Sequence, residues 1–236
     1  MKSGDIITAY AVNNNCYKAN KALEPSGIVV HSTGANNPSL KRYVDAPLEV
    51  GSNAYGNHWN TPQPGGRNVC VHAFIGKDIN GNVRVAQILP YNIAPWGCGN
   101  GRRGTYNNTH IQFEICEDGL TDKVYFDKAF SVAAEYCAYL CHTFGLDITS
   151  VVSHAEAHKL GYASNHGDCD HWLRKFGKTM DDFRNDVKAA YAKEYDKVNY
   201  ADYVCRKCGF TAETRKYLDA YTYSSDLWRK LYEQMK

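Results

Sequence analysis

The sequence lacks any long apolar segment. No apolar run approaches the roughly 20 residues that a helix needs to cross a bilayer, so membrane insertion is not expected. The N-terminal stretch MKSGDIITAYAVNNNC has one early lysine and no continuous apolar region, unlike a secretory signal peptide. We therefore expect a protein that is made in a cytosol and stays there unless another factor releases it.

An excess of either charge is also absent. The chain has 27 basic and 25 acidic residues, which gives a formal net charge of +2 at pH 7. Proteins that bind nucleic acid usually concentrate positive charge on one surface or segment. The balance therefore removes nucleic acid from the expected partners and gives no indication of a polyanionic or membrane partner.

A framework of paired cysteines is the third absence. The nine cysteines are an odd number, scattered over 236 residues. Without a signal peptide, this pattern excludes a disulfide-stapled secreted domain and favours reduced thiols. Cys205 and Cys208 form a lone C-x-x-C pair, which cannot complete a four-ligand zinc site by itself. We expect two ordinary thiols at these positions.

Four segments have the pattern of β-strands or of a β-hairpin. The hairpin prediction depends on the dipeptide Asn80-Gly81, which lies between two β-rich runs. Two other segments are short apolar runs that end in a histidine, at His31 and at His154. The four segments are residues 26–34, 69–90, 109–117 and 147–154.

Two longer segments have helical periodicity. Residues 126–145 place apolar side chains at three- and four-residue spacing and end at Gly145, a suitable C-terminal stop. Residues 179–198 begin with Thr179 as N-cap and Asp182 three residues later. Strands and helices alternate, with a hairpin among them. The expected fold class is α/β, with a mixed central β-sheet flanked by helices.

The C-terminal part of the sequence differs from the rest. It holds two short helical patterns, TAETRKYLDAY and SSDLWRKLYEQM, each with a Thr or Ser cap and a nearby acidic residue. We therefore divide the chain into a main domain of residues 1–198 and a small helical appendage of residues 199–236. The appendage is too short for a substantial core of its own, so docking on the main domain or on a partner is expected.

One stretch concentrates groups that can bind a metal. Residues 153–172 (SHAEAHKLGYASNHGDCDHW) contain four of the nine histidines, two aspartates, a cysteine and a glutamate. A catalytic zinc site takes three protein ligands and leaves a fourth position for water. His31 and His154, with one more ligand from the loop after His154, would meet this requirement. The residues alone equally allow two hydrogen-bonded core histidines.

Four motifs occur in a characteristic order along the chain. They are IVVHSTG, VHAFIGKDINGNVRVAQILP, NNTHIQFEICEDG and VVSHAEAHKLGYASNHGDCDHW. Their order resembles the amidase-2 family of zinc-dependent N-acetylmuramoyl-L-alanine amidases, which includes T7 lysozyme and peptidoglycan-recognition domains. The resemblance covers roughly residues 6–190 and is strongest toward endolysins and autolysins of clostridial type.

The resemblance implies a peptidoglycan hydrolase. Its substrate bond is the amide between the lactyl group of N-acetylmuramic acid and L-alanine of the stem peptide. It also implies synthesis in a bacterial cytoplasm and action on the cell wall after release, through a phage holin or by lysis. The C-terminal helices resemble short tails of some clostridial-type amidases, which implies wall attachment or self-association into a homo-oligomer.

The resemblance further implies a Zn²⁺ site. Its first two ligands match His31 and His154. The third ligand in the family is an Asp or Cys that lies two residues after a basic, substrate-facing residue. Asp168 follows His166 by two residues, so the resemblance favours Asp168 as ligand and His166 as the basic catalytic group. Cys169 is the alternative third ligand, because a thiolate also binds zinc well.

The family's general base is a Glu, or in other branches a Tyr, on a strand beside the metal. In IQFEICE this position matches Glu114, which alternation places on the same strand face as Gln112. A carboxylate there takes the proton of the attacking water and returns it to the leaving amine. Glu117 is the competing carboxylate, and alternation assigns it to the opposite face.

One position departs from the family pattern. Many relatives carry a tryptophan–histidine pair after the hairpin, whereas this chain has Trp96 followed by Gly97. The family histidine is not a zinc ligand, so the departure concerns substrate contacts. The long loop of residues 51–68 has the length of a binding loop. The expected substrate-binding residues are Trp96, His72, His58 and Asn108.

Two other functions remain open from the sequence. The first is a peptidoglycan-binding module of the same fold without catalysis; such modules typically lose the third zinc ligand, whereas this chain offers Asp168 or Cys169. The second is a zinc peptidase, which would carry H-E-x-x-H on a helix. The sequence HAEAH at residues 154–158 has the histidine spacing, but its glutamate falls one place late.

Overall fold

A six-stranded mixed β-sheet forms the centre of the larger part of the chain. The computed structural model describes residues 1–195 and 200–235. In sheet order the strands are β1 (Ile7–Thr8), β4 (Val83–Gln87), β3 (Ala73–Lys77), β5 (His110–Ile115), β2 (Gly27–Ser32) and β6 (Val151–Ser153). β3 and β4 are antiparallel, and the other neighbouring pairs are parallel. The predicted mixed sheet is therefore confirmed.

The inner strands are buried because both faces of the sheet are covered. All six residues of β2 are buried, which agrees with its continuous apolar run. The predicted hairpin is also confirmed, as the connection from β3 to β4. In its turn, the Asp78 side chain accepts hydrogen bonds from the backbone N–H groups of Asn80 and Asn82, each at 2.9 Å. Gly81 adopts a φ of +80°, which a residue with a side chain rarely does.

The helices of this part surround the sheet. They are α1 (Asn15–Ala19), α2 (Pro47–Val50), α3 (Lys123–Phe144), α4 (His154–Leu160), α5 (Asp170–Lys175) and α6 (Met180–Glu194). The long helix α3 packs against β3, β4 and β5. It begins three residues earlier than predicted, because the Asp122 carboxylate accepts hydrogen bonds from the N–H groups of Val124 and Tyr125. It ends at Gly145, as predicted.

The boundary between β6 and α4 differs from the prediction by one residue. His154 is the first residue of α4 and not the last of a strand. Ser153 Oγ accepts the N–H of Glu156 at 3.1 Å, and the Glu156 carboxylate accepts the N–H of Ser153 at 3.1 Å. This capping box begins the helix immediately after the strand. Arg184 holds the same carboxylate at 2.9 Å, so the junction that carries His154 is fixed from two sides.

Helix α6 begins as the sequence indicates. Thr179 and Asp182 form the predicted reciprocal cap, with Asp182 N–H donating to Thr179 Oγ1 at 3.2 Å and Thr179 N–H donating to the Asp182 carboxylate at 2.8 Å. The helix ends at Glu194. The predicted continuation to residue 198 falls on residues 196–199, which lie outside the described residues.

The chain divides into two compact units, Met1–Tyr191 and Ala192–Lys236. The predicted boundary after residue 198 lies in the part of the chain that is not described. In the second unit the helices are α7 (Tyr200–Cys208), α8 (Ala212–Asp219) and α9 (Ser224–Gln234). Ala201, Val204 and Trp228 form its small buried centre.

The second unit contains one helix that was not predicted. Helix α7 carries both Cys205 and Cys208, one turn apart. Thr211 caps α8 as expected, but the predicted serine cap of α9 is wrong, because the N-cap position belongs to Tyr223 and no side chain caps the helix. Across residues 1–195 and 200–235, no helix has both the length and the apolar character needed to span a membrane.

Candidate metal centre and active site

Three neighbouring parallel strands carry the candidate catalytic groups to one edge of the sheet. β5, β2 and β6 run in the same direction, so their carboxyl ends lie side by side. This edge is where α/β folds usually build sites. His31, near the end of β2, pairs in register with Glu114 of β5. His154 follows β6 directly.

His31, His154 and Asp168 bring three ligand atoms together. The two histidine Nδ1 atoms are 3.0 Å apart. Asp168 Oδ2 lies 3.0 Å from Nδ1 of His31 and 3.4 Å from Nδ1 of His154. Ligands placed about 2.0 Å from a tetrahedral zinc ion are about 3.3 Å from one another. The three side chains therefore fit a single zinc ion.

The second ring nitrogen of each histidine is held by another side chain. His31 Nε2 lies 3.1 Å from Gln112 Oε1, and His154 Nε2 lies 3.3 Å from Ser164 Oγ. The Gln112 oxygen can only accept a hydrogen bond, and Ser164 Oγ donates its own hydrogen to Cys98 O at 3.1 Å. Nε2 of each histidine therefore carries a hydrogen, which leaves Nδ1 as the ring nitrogen that a metal ion can bind.

The electrostatics distinguish Asp168 from Cys169 as third ligand. Burial opposes ionisation of Asp168, but hydrogen bonds and charge from His154 and His31 hold the pKa of its carboxyl well below the usual range. The Cys169 thiol lies in the core, 3.9 Å from the sulfur of Met180, and burial raises its pKa well above the usual value. A cysteine ligand must be a thiolate. The buried position of the thiol and its raised pKa therefore both favour Asp168 as the third ligand.

Glu114 shares a cavity of about 590 Å³ with the three ligand residues. The other residues that line this cavity include Arg42, Trp59, Arg67, Gly97, His166 and His171. Glu114 Oε2 is buried and has no hydrogen-bond partner in the described part of the chain. Burial, followed by the negative charges of Asp168 and Glu117, raises the pKa of Glu114 well above its usual value. A metal cation nearby would favour the ionised carboxylate. Such a carboxylate suits a general base.

His166 occupies the open side of the same cavity. Its ring stacks on His154, with centroids 4.8 Å apart and an interplanar angle of 12°. Its Nδ1 lies 3.8 Å from Asp168 Oδ1, and 62% of its side chain is exposed. The predicted basic group therefore stands beside the ligand set and faces solvent, where a substrate can reach it.

Glu117 is committed to an ion pair with His171. The His171 Nε2 and Glu117 Oε1 atoms are 3.0 Å apart. The hydrogen bond with Glu117 raises the pKa of His171. Burial favours the neutral form of Glu117, but the pairing with His171 outweighs burial and lowers the pKa of the Glu117 carboxyl. Glu117 lies two residues after β5, so strand alternation no longer sets its direction, and its partner His171 lines the cavity. The ion pair with His171, and not a position on the opposite face of the strand, distinguishes the role of Glu117 from that of Glu114.

The sequence profile described as N-acetylmuramoyl-L-alanine amidase matches residues 21–171, which is more than half of the chain. This chain belongs to the N-acetylmuramoyl-L-alanine amidase family. It is therefore an amide hydrolase of the class that acts on peptidoglycan. No sequence among the curated proteins compared with this amidase matches it significantly.

Solved structures share the fold of this amidase. The Staphylococcus aureus hydrolase AmiA is 21% identical, with a TM-score of 0.59, over 84% of this chain and 89% of that chain. The catalytic domain of XlyA is 23% identical, with a TM-score of 0.54, over 77% and 98% of the two chains. A mutant endolysin from Bacillus subtilis is 24% identical, with a TM-score of 0.51, over 77% and 97%.

His72, a predicted substrate contact, is not among the described residues that line the cavity. Its side chain is completely buried. Its Nδ1 accepts the N–H of Gln112 at 3.0 Å, and its Nε2 donates to Ile93 O at 3.1 Å. Both ring nitrogens therefore bind backbone groups, one on β5 and one in the segment after β4. Burial lowers the pKa of His72 to about 4.

The neutral, buried His72 predicts acid sensitivity of the metal-free protein. Below a pKa of 6.5 the unfolded state gains a proton on this histidine, and the folded state gains it only near pH 4. The unfolded state therefore binds more protons between these values, so stability falls as pH falls, by about 2 kcal/mol at pH 5. Chemical unfolding of wild type and His72→Gln at pH 7 and pH 5 checks this contribution. Equal losses of unfolding free energy in both proteins would contradict it.

Asn108 is another predicted substrate contact. It lies two residues before β5, and its Oδ1 accepts a hydrogen bond from Lys21 Nζ at 2.7 Å. Asn108 is exposed and is not among the residues that line the cavity. Its contact with substrate remains a prediction.

Two predicted substrate contacts lie near the cavity. His58 Nε2 lies 3.9 Å from Asp45 Oδ1, and the neighbouring Trp59 lines the cavity. Trp96 pairs through its backbone with Cys70, and its side chain is exposed, while Gly97 lines the cavity. Contacts of His58 and Trp96 with substrate remain predictions.

The motif HAEAH is helical but does not form a peptidase-type zinc site. His154 is a candidate ligand, whereas His158 Nδ1 lies 3.1 Å from Ala163 O. The glutamate between them caps α4 and binds Arg184. Only one histidine of the motif therefore belongs to the ligand set.

Several residues of the site were not found from the sequence. Arg42 and Arg67 line the cavity, and Ser164 supports His154. None of them belongs to a recognisable motif, because long-range packing brings them to the site. The capping box that begins at Ser153 could have been found, since S-H-A-E fits the S/T-x-x-E pattern.

Proposed function

We propose that this amidase hydrolyses the bond between the lactyl group of N-acetylmuramic acid and L-alanine of the stem peptide, with zinc as cofactor. The observation that carries the proposal is the placement of Glu114, whose buried Oε2 has no hydrogen-bond partner among the described residues, in the same cavity as the three ligand residues. A catalytic metal site requires both the three ligands and a nearby carboxylate that can move a proton. A pure binding site has no need of that carboxylate. Membership of the family supports the choice of bond.

The roles of the residues follow from their positions. Zn²⁺ held by His31, His154 and Asp168 would lower the pKa of its water to about 7 and polarise the scissile carbonyl. Glu114 accepts the proton of the attacking water and delivers it to the amine of L-alanine as the C–N bond breaks. His166, on the exposed side of the site, donates a hydrogen bond to the carbonyl oxygen as that atom becomes negative.

Product analysis tests the bond assignment. Purified Gram-positive cell walls digested with the protein are expected to release peptides with a free N-terminal L-alanine, with no new reducing sugars. Amino groups on any other residue would indicate an endopeptidase, and new reducing ends would indicate a glycosidase. Walls that bind the protein but release nothing would indicate the non-catalytic binding module.

We also propose that residues 1–198 form the catalytic domain and that residues 199–236 attach the protein to the wall or to a second copy. The match to the XlyA catalytic domain covers nearly all of that domain but 77% of this chain, which supports a separate C-terminal part. The second unit has its own buried centre and exposes Tyr217, Tyr221 and Tyr223. Exposed tyrosine rings stack well on sugars. Access to the wall would follow release through a phage holin or by lysis.

Removal of residues 199–236 is expected to separate binding from catalysis. The ligand residues, Glu114 and the whole sheet lie within residues 1–191, so hydrolysis of a soluble muramyl peptide should persist. Co-sedimentation with intact walls should weaken by at least about tenfold if the segment supplies a second attachment point. Light scattering of both proteins reports self-association. Unchanged wall binding together with an unchanged assembly state would contradict both roles.

A further inference from the structure

A buried hydrogen-bonded chain connects a surface loop to the first metal ligand. Gln112 is completely buried on β5, and its Oε1 lies 3.1 Å from His31 Nε2. Its side-chain nitrogen donates to Asn107 Oδ1 at 2.9 Å. Asn107 Oδ1 also accepts the N–H of Gly97 at 3.0 Å, and its nitrogen donates to Gly99 O at 3.0 Å.

These buried hydrogen bonds allow the side-chain amide of Gln112 only one orientation. Asn107 Oδ1 accepts the backbone N–H groups of Gly97 and Cys98, so it is an acceptor and not a donor. The end of the Gln112 amide that faces it must therefore be the nitrogen. The Gln112 oxygen is thereby turned to His31. A glutamine free to rotate could offer either end of its amide, and the buried contacts remove that freedom.

Gly97 provides the space that Gln112 fills. A Cβ atom added to Gly97 would overlap Gln112 Oε1 and lie 3.0 Å from Val71 Cγ1. Gly97 is not among the residues with positive φ, so its backbone conformation is accessible to alanine. The missing side chain, and not backbone freedom, is what this position contributes.

We propose that Gln112 is the positioning residue for His31 and that Gly97 is the gap it requires. Gln112 holds the hydrogen of His31 on Nε2 and fixes the ring so that Nδ1 points at His154 and Asp168. Loss of such an outer hydrogen-bond partner typically weakens metal binding by about 10- to 100-fold. The proposal rests on the zinc site of the proposed function and adds residues for which no role was predicted from the sequence.

Two substitutions of Gln112 separate its hydrogen bond from its packing. Gln112→Met keeps an unbranched side chain of similar size but offers His31 only a weak acceptor. Gln112→Glu keeps a strong acceptor, and in its protonated form the new carboxyl also donates to Asn107. Zinc dissociation constants, measured by competition with a chelator, are expected to rise about 10- to 100-fold for Gln112→Met and by less than about threefold for Gln112→Glu. Melting temperatures of the metal-free proteins report packing separately.

A double-mutant cycle tests the coupling to Gly97. Gly97→Ala alone is expected to raise the zinc dissociation constant about tenfold or more, because it displaces the Gln112 oxygen. In a Gln112→Ala background the same change should add less than about twofold, since the overlapping atom is gone. The contact with Val71 is present in both backgrounds and cancels. Gly4→Ala, at a position with open space around it, is the matched control.

The outcomes distinguish this proposal from the proposed function. A wild-type protein that binds no zinc would overturn both. Wild type that binds zinc, with Gln112→Met binding it equally tightly, would overturn the positioning role alone. The same conclusion follows if Gly97→Ala has the same effect in both backgrounds. Selective weakening by Gln112→Met, rescue by Gln112→Glu and non-additivity with Gly97→Ala would establish it.

Discussion

Replacement of Glu114 by glutamine is expected to slow wall hydrolysis by about 10²- to 10⁴-fold without loss of zinc. Glutamine keeps the size and polarity of the side chain but cannot take a proton from water. The carboxylate lies in the cavity of the ligand residues but is not itself in the ligand set. The metal content of the variant should therefore equal that of wild type. Hydrolysis is measured as new N-terminal alanine, and zinc by elemental analysis.

Glu135→Gln is the matched control for this substitution. Glu135 is exposed on α3 and is not among the residues that line the cavity, so the rate of this variant should equal that of wild type. A Glu114→Gln protein that keeps zinc and hydrolyses walls within tenfold of the wild-type rate would remove Glu114 as general base. Glu117 would not replace it readily, because His171 already pairs with its carboxylate.

Replacement of Asp168 by alanine is expected to abolish zinc binding and hydrolysis together. The change removes the single anionic ligand and leaves two neutral histidines, whose nitrogens are 3.0 Å apart. The loss should exceed the roughly 10- to 100-fold caused by removal of an outer hydrogen-bond partner. Chelator competition measures the zinc dissociation constant, and added zinc should not restore hydrolysis at concentrations that saturate wild type.

Cys169→Ala distinguishes the two candidate third ligands. The Cys169 thiol is buried beside Met180, so its removal should cost some folding stability but leave the zinc dissociation constant within about threefold, as expected for a residue that is not a ligand. The opposite pattern, with zinc lost in Cys169→Ala and kept in Asp168→Ala, would make the thiolate the ligand. It would also require a local structure different from the one described here.

Local patterns predicted the elements that carry the site. The apolar runs before His31 and His154 and the alternation around Glu114 are properties of a few consecutive residues, and each corresponds to an observed strand. The exact end of β6 was missed, because the capping box at Ser153 competes with strand continuation. Helix α7 was missed because its apolar side, which includes Ala201 and Val204, is defined by packing with the distant Trp228.

The ligand set was predictable only through ordered motifs. Spacing alone left two histidines that could equally be core residues, and nothing local identified Asp168 as their partner. The surroundings of His72 and Asn108 were not predictable from the motifs that contain them, because they depend on tertiary contacts with Gln112 and Lys21. Gln112 was correctly placed on the face of Glu114, but its contact with His31 joins two strands that are distant in sequence.

Zinc titration of the metal-free protein tests the central claim most directly. The protein is stripped with a chelator, and zinc content and release of N-terminal alanine from walls are measured at each addition. We predict no hydrolysis without zinc and a rise that ends at about one zinc per chain, as a single set of three ligands requires. Full hydrolysis by the zinc-free protein would contradict the account. So would one bound zinc per chain without any release of alanine-terminated peptides, since the site would then serve recognition alone.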